Sequence, residues 1–129
     1  MKDLLQLLLE TELLLRKSHW NIVGPRFEPL HGVFGGLYDK VAVDSDIVAE
    51  KIRQDGEKVT VTEVECKYNV KTDNEMLSAT LAHFKEIQKE VNTLSKLAER
   101  QGDYGAIDLL GKMSNEYSKD IWKLTSFLQ

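Results

Sequence analysis

Lys17-Ser18-His19-Trp20-Asn21-Ile22-Val23-Gly24-Pro25-Arg26-Phe27-Glu28-Pro29-Leu30-His31 reads as the end of one helix, a break and the start of the next. Gly24 tolerates a left-handed backbone and Pro25 cannot extend the hydrogen-bond ladder, so the chain must turn here. A joint this short folds the two helices into an antiparallel hairpin and sets His19 and His31 at its corner. Asp46 follows fifteen residues beyond His31, with Glu50 one turn later. Two imidazoles and two carboxylates make an inventory of metal ligands.

Upstream of that corner, Asp3, Gln6, Glu10 and Lys17 keep to one narrow stripe while leucines cover most of the remaining circumference. This predicts a first helix from Met1 to about Val23, buried on more than one side. Downstream, the second helix should begin near Phe27 to Pro29 and run to about Gln54. Phe27, Leu30, Phe34, Leu37, Val41, Val48 and Ile52 form its core face, and Gly56 is its stop. Residues 57–71 contain period-two alternation through Val59, Val61, Val64, Cys66, Tyr68 and Val70. No partner strand is in sight, so the segment is expected to be a connection with room for one short helix.

Thr72 with Glu75 is a capping-box signature opening a third helix, on which Leu77, Leu81, Phe84, Val91, Leu94 and Ala98 recur up to Gly102. Asp103 can cap a fourth, carried by Ile107, Leu110, Met113, Tyr117, Ile121, Leu124 and Leu128. The expected fold is all-α, a ferritin-like four-helix bundle with one long crossover between the second and third helices, formed as a single domain over 1–129.

A chain of 129 residues suits one domain with a real core, and a charged fraction of 29% with a net charge of -4 describes a mixed, soluble surface. That balance calls for neither nucleic acid nor an anionic membrane. A single cysteine, Cys66, excludes an intramolecular disulfide and suits a reducing compartment. The longest apolar runs near the start, Leu7 to Leu9 and Leu13 to Leu15, are too short for a signal peptide or a membrane span. A cytoplasmic protein is expected.

Helical rise constrains the metal ligands. At about 1.5 Å per residue, Asp46 and Glu50 lie roughly 22 to 28 Å along the second helix from His31. One chain cannot bring both ends to one ion. A site inside the bundle would use Glu-x-x-His on two helices, and only Glu28 to His31 provides that spacing. Two copies of the second helix packed antiparallel about a two-fold axis would bring His31 of one chain to Asp46 and Glu50 of the other, with His19 joining from the first helix. Mixed imidazole and carboxylate ligands suit iron or zinc better than calcium or magnesium.

The run from Lys17 to Phe27, then Leu30-His31, Leu37-Tyr38 and Asp46-Ile47-Val48-Ala49-Glu50-Lys51-Ile52, resembles the signature of the Dps family, the mini-ferritins. His83, Gly102-Asp103 and the ending Ile121-Trp122-Lys123-Leu124 to Phe127-Leu128 extend the likeness over nearly the whole chain. The resemblance implies a hollow dodecamer that takes up Fe(II), oxidises it with hydrogen peroxide at inter-subunit sites and stores ferric mineral. It assigns His19 and His31 as ligands from one subunit, Asp46 and Glu50 as ligands from its two-fold mate, and Trp20 as an electron donor beside them. Zinc would substitute for iron. Asp103 and Asp108 fall where acidic residues line entry pores.

Two departures matter. The family usually has an aspartate one turn after the second histidine, where this chain has Gly35 followed by Gly36. A shell with impaired ferroxidase activity, acting as a metal-binding or structural particle, is therefore the alternative expectation. Family members that bind DNA strongly often carry a lysine-rich tail, and this net-negative sequence shows none, so DNA compaction ranks below both. Of the remaining candidates, His83 reads as a packed histidine and Tyr117 and Trp122 as core or interface. Gly35-Gly36 reads as drift or a close helix contact at the two-fold interface rather than a catalytic feature.

Overall fold

The computed structural model describes residues 1–61 and 63–129. Four helices account for most of them: α1 (Lys2–Asn21), α2 (Phe27–Gln54), α3 (Asp73–Gln101) and α4 (Tyr104–Leu128). Helices α1 and α2 form one hairpin, α3 and α4 the other, and α1 packs across the bundle on α3.

The helix ends follow their local chemistry. Gly24 adopts φ +104 and Gly102 φ +66, left-handed values that release α1 and α3 into the short joints after them. Pro29 lies in the first turn of α2, where a missing N–H leaves no helical bond unmade. At α3 the capping box is complete: Thr72 Oγ1 accepts from the Glu75 N–H at 3.1 Å, and the Glu75 carboxylate accepts from the Thr72 N–H at 3.1 Å. Asp103 caps α4 by accepting from the Ala106 N–H at 3.1 Å.

The core runs the length of the bundle through Leu8, Leu15, Leu30, Phe34, Val41, Phe84, Ile87, Val91 and Tyr117, with Phe84 and Tyr117 edge to face at 5.0 Å. Phe27 departs from the expected core face. It is 39% exposed and stacks on the His31 ring at 4.9 Å. Trp122 is likewise not core, being 66% exposed on the outer side of α4.

The crossover corrects a second expectation. Among the described residues of 57–71 there is no helical turn. Arg26, before α2, grips Asp73 at 2.9 Å and Asn74 at 2.8 Å, so α3 begins at the end of the bundle where α2 begins. The crossover must therefore travel back along a helix of 28 residues, about 42 Å. Extended chain covers about 3.3 Å per residue and helix about 1.5 Å, so a helical turn here would consume reach the connection needs. The extended segment lies along α1 and α3: Lys2 pairs with Glu57 at 3.0 Å, Gln6 donates to the Glu63 carbonyl at 2.5 Å, and Tyr68 meets the His83 ring edge-on at 5.1 Å.

Thr72→Ala should cost about 0.5–2 kcal/mol, the usual loss for a broken N-cap. Urea unfolding at matched protein concentration tests this; an unchanged midpoint would mean that packing alone fixes the start of α3.

Candidate metal centre

His19 in the last turn of α1 and His31 in the first turn of α2 meet across the corner. Their rings stack with centroids 3.8 Å apart and planes 16° from parallel. Each ring is fastened to the other residue's backbone: His19 Nδ1 donates to the His31 carbonyl at 2.7 Å, and His31 Nδ1 donates to the His19 carbonyl at 2.8 Å. A carbonyl oxygen can only accept, so both Nδ1 atoms carry hydrogen and Nε2 is the position left on each ring for a ligand. Metal-binding histidines are commonly ordered in this way. Tyr38 closes the inner side, edge-on to His19 at 5.3 Å and capped by the Arg16 guanidinium 4.4 Å from its ring centroid.

Gly35 lies directly beneath this pair. A Cβ on Gly35 would stand 3.0 Å from His19 Cε1 and 3.1 Å from His19 Nδ1. Within the chain Gly35 is closely approached by His19, whereas a Cβ on Gly36 would meet nothing within 4 Å.

Asp46 and Glu50 are exposed on the outer face of α2, far along the helix from the histidines. Among the described residues, no three His, Cys, Asp or Glu side chains come together to hold an ion. The chain thus presents the imidazoles at one end of α2 and the carboxylates toward the other. Trp20, beside His19, is 64% exposed. The Asp103 carboxylate is engaged as the α4 cap and stands 3.5 Å from Lys51, and the Ala106 N–H holds its carboxyl below the usual range. Asp108 is exposed one turn further on.

The middle of the bundle holds a polar cluster that helical periodicity did not announce. The Lys40 ammonium pairs with Asp120 and sits 3.7 Å from the centroid of the Tyr117 ring. The Tyr117 hydroxyl donates to the buried Asp44 carboxylate at 2.8 Å. Burial pushes the Asp44 carboxyl upward against the opposing pull of the Tyr117 bond and Lys40. Burial, reinforced by Asp44, also raises the Tyr117 hydroxyl. The Lys40 ammonium thus sits beside the carboxylates of Asp44 and Asp120. Only the placement of Lys40 on the core side of α2 could have hinted at it.

His83 is a packed histidine, as its position among Phe84 and Ile87 suggested. The Thr11 hydroxyl donates to the Leu7 carbonyl at 2.7 Å, so the 2.8 Å contact between Thr11 Oγ1 and His83 Nδ1 is a bond donated by the histidine. Burial lowers the His83 pKa below its ordinary 6.5, outweighing the raising effect of Glu86 and Glu10. Neutral His83 therefore contributes stability above about pH 6.5 that is lost as pH falls through the depressed folded value. His83→Gln should flatten the acid side of the stability profile between about pH 7 and 5. Urea midpoints across that range decide it, and identical slopes in the two proteins would refute it.

Comparison with known proteins places this geometry. A model of the ferritin-like domain matches residues 1–129. DNA protection during starvation protein 2 of Bacillus anthracis is 30% identical over 123 residues, spanning 88% of this chain and 84% of its own. Among solved structures, Dps from Thermosynechococcus elongatus superposes with a TM-score of 0.92 at 24% identity, covering 99% of this chain and 87% of its own. The Dps protein of Vibrio cholerae O1, described as a ferritin-like diiron-carboxylate protein, superposes with a TM-score of 0.87 at 21% identity, covering 99% and 88%.

Proposed function

The chain belongs to the Dps family of ferritin-like proteins, and from that premise we propose that it binds Fe(II) at sites shared between two subunits, oxidises it, and stores the ferric product inside a hollow homo-oligomeric shell, a dodecamer. The observation that carries this reading is the pair of crossed bonds from His19 and His31 to each other's carbonyls. They prepare two Nε2 donors before any ion arrives and leave the charge-balancing ligands to come from elsewhere.

Asp46 and Glu50 of a second copy are those ligands. If His31 of each chain is to face Asp46 and Glu50 of the other, a two-fold axis must cross α2 midway between them, near residues 39 and 40. The outer surface beside that point suits contact with a copy of itself: Gly36 is open, and Val43 and Ile47 are 58% and 41% exposed. Each interface then carries two equivalent centres of two imidazoles and two carboxylates.

Iron is the substrate of this chemistry. Two Fe(II) ions give one electron each to hydrogen peroxide, which takes up two protons and leaves as two waters, so iron is stored without releasing hydroxyl radical. Carboxylates favour the more highly charged ferric product, and neutral imidazoles hold the ferrous ion on arrival. Trp20, next to His19 and open to solvent, is placed to supply an electron when iron is short. Asp108 is the better candidate for an entry pore, since the Asp103 carboxylate already serves as a cap. Zinc would occupy the same ligands without redox change. The setting we assign is the cytoplasm. No helix among the described residues is long and apolar enough to cross a membrane. A net charge of -4 works against neutralising DNA phosphates, and the iron reading does not require it.

A shell that has kept its assembly but lost fast oxidation is the second reading, favoured by Gly35 standing where a carboxylate is usual. Iron oxidation kinetics separate the two. On adding Fe(II) and then peroxide to the assembled protein, ferric absorbance should rise quickly, and His31→Ala or Asp46→Ala should slow it by about tenfold or more. Equal rates in the wild type and both variants would remove the shared centre. A slow wild type that still binds iron would favour the second reading.

A further inference from the structure

Resting on the two-fold arrangement proposed above, we propose that the crossovers of the two chains pair across that axis as an antiparallel two-stranded ribbon, with Cys66 opposite Cys66 of the second copy.

The crossover is a strand without a neighbour. Among its described residues the chain runs extended, and from 58 to 71 none of them makes a backbone–backbone hydrogen bond. Side chains hold it to the bundle: Gln6 donates to the Glu63 carbonyl at 2.5 Å, and Tyr68 meets the His83 ring edge-on at 5.1 Å. Val59, Val61, Val64 and Tyr68 are each 36 or 37% exposed, and such β-branched and aromatic residues suit a pleated surface. An open strand edge of this kind is a template for another chain.

The height of the crossover on the bundle is the height at which the axis passes. Only segments lying on a two-fold axis meet their own copies. The axis proposed for α2 crosses it near residues 39 and 40, about 13 Å along the helix from His31. His19 is stacked on His31, so distances along α1 are measured from the same corner. Thr11, bonded to the His83 that Tyr68 covers, is about 12 Å from that corner, and Gln6, bonded to Glu63, about 20 Å. Residues 63–68 therefore span the level of the axis, with Cys66 inside that span.

Side-chain chemistry selects the register. In an antiparallel pair related by a two-fold axis, residues equally far before and after the central one face each other. Centred on Cys66, Glu65 faces Lys67 of the second copy on one side of the ribbon, and Val64 faces its Tyr68 on the other, each pair occurring twice. Tyr68 lies on His83, so the side carrying Val64, Cys66 and Tyr68 rests on the bundle, and Glu65 and Lys67 are exposed on the other. Support from the helices matters, because a bare two-stranded ribbon is marginal in water. Centring on Glu65 or Lys67 would set like charges against each other, and centring on Val64 would oppose Glu63 to Glu65. Centred on Tyr68, the ribbon would be bounded by Thr72, already engaged in the α3 cap, and Val64 would lack a partner.

Cys66 is the only cysteine of the chain, so a link through it joins like to like. Opposite Cα atoms in an antiparallel pair stand about 4.5–5.5 Å apart, inside the range of about 4.4–6.8 Å that a disulfide spans. The assembled protein, purified reduced, is treated with copper phenanthroline, sized, and run on a non-reducing gel. We expect most chains as linked dimers, released by dithiothreitol, within particles of unchanged size. Glu65→Lys, which sets lysine against lysine across the ribbon, should slow linking about threefold or more, and adding Lys67→Glu should restore it. Chains left unlinked in intact particles, with the oxidant and with a short bismaleimide alike, would overturn the ribbon, as would links between separate particles. A rate indifferent to Glu65→Lys would overturn the register. Iron oxidation in His31→Ala and Asp46→Ala keeps the shared centre apart from this inference. Slowed oxidation with unlinked chains removes the ribbon alone, linked chains with undiminished oxidation remove the centre alone, and a protein that runs as a single chain removes both.

Discussion

An α-helix advances about 1.5 Å per residue, and that fixed rise governs both the shape of this chain and what it can do alone. Helix α2 puts the imidazoles near its start and the carboxylates near its end, and no bend in a continuous helix brings them together. A centre using both sets has to be completed by symmetry. The same rise dictates the crossover, since the chain must travel back along the bundle before α3 can start beside Arg26 and can do so only extended. Assembly and topology thus share one geometric cause.

The bundle interior and the α1–α2 corner divide the polar chemistry between them. Four-helix di-iron proteins place carboxylates from facing helices around a central pair of ions. Here Asp44 and Asp120 face the middle as well, but Lys40 pairs with Asp120, and Tyr117 satisfies Asp44 at 2.8 Å. Removing one partner of such a part-buried network leaves the other's charge or hydrogen bond uncompensated. The cluster therefore links α2 to α4. At the corner the balance is opposite. The histidines bond through their Nδ1 atoms, and among the described residues no hydrogen bond engages either Nε2.

Helical periodicity made most of the fold legible because α2, α3 and α4 each carry an apolar face, α1 carries a narrow polar stripe, and chemical signals mark the joints. Thr72-Glu75, Gly102-Asp103 and Gly24-Pro25 each marked a boundary that the backbone obeys. Phe27 was misread, and the crossover lacks the short helix it had room for, because local pattern says what a segment would prefer, not how far it must reach or whether a neighbour is there to cover it. The centre was legible only as an inventory. Spacing placed His19 and His31 at one corner, yet the crossed bonds depend on how two helices pass each other. Lys40 with Asp120 and His83 with Thr11 are likewise pairs across facing helices, where periodicity gives the face and not the partner.

Glycine in a helix costs about 1 kcal/mol relative to alanine, so the glycines of α2 ask for separate explanations. A Cβ on Gly32 or Gly36 would meet nothing within 4 Å, so nothing inside the chain requires them. Both lie on the outer face of α2 that a second copy would cover, and small residues there let two helices approach closely. Gly35 is different. Its missing Cβ is the space in which the His19 ring lies, and the cost in helix propensity is offset by two imidazoles ordered in advance through bonds of 2.7 and 2.8 Å. Ordering ligands before the ion arrives lowers the entropy lost on binding. In the folded chain the residue that stands in the carboxylate's place leaves room for the His19 ring, which a Cβ there would approach to 3.0 Å.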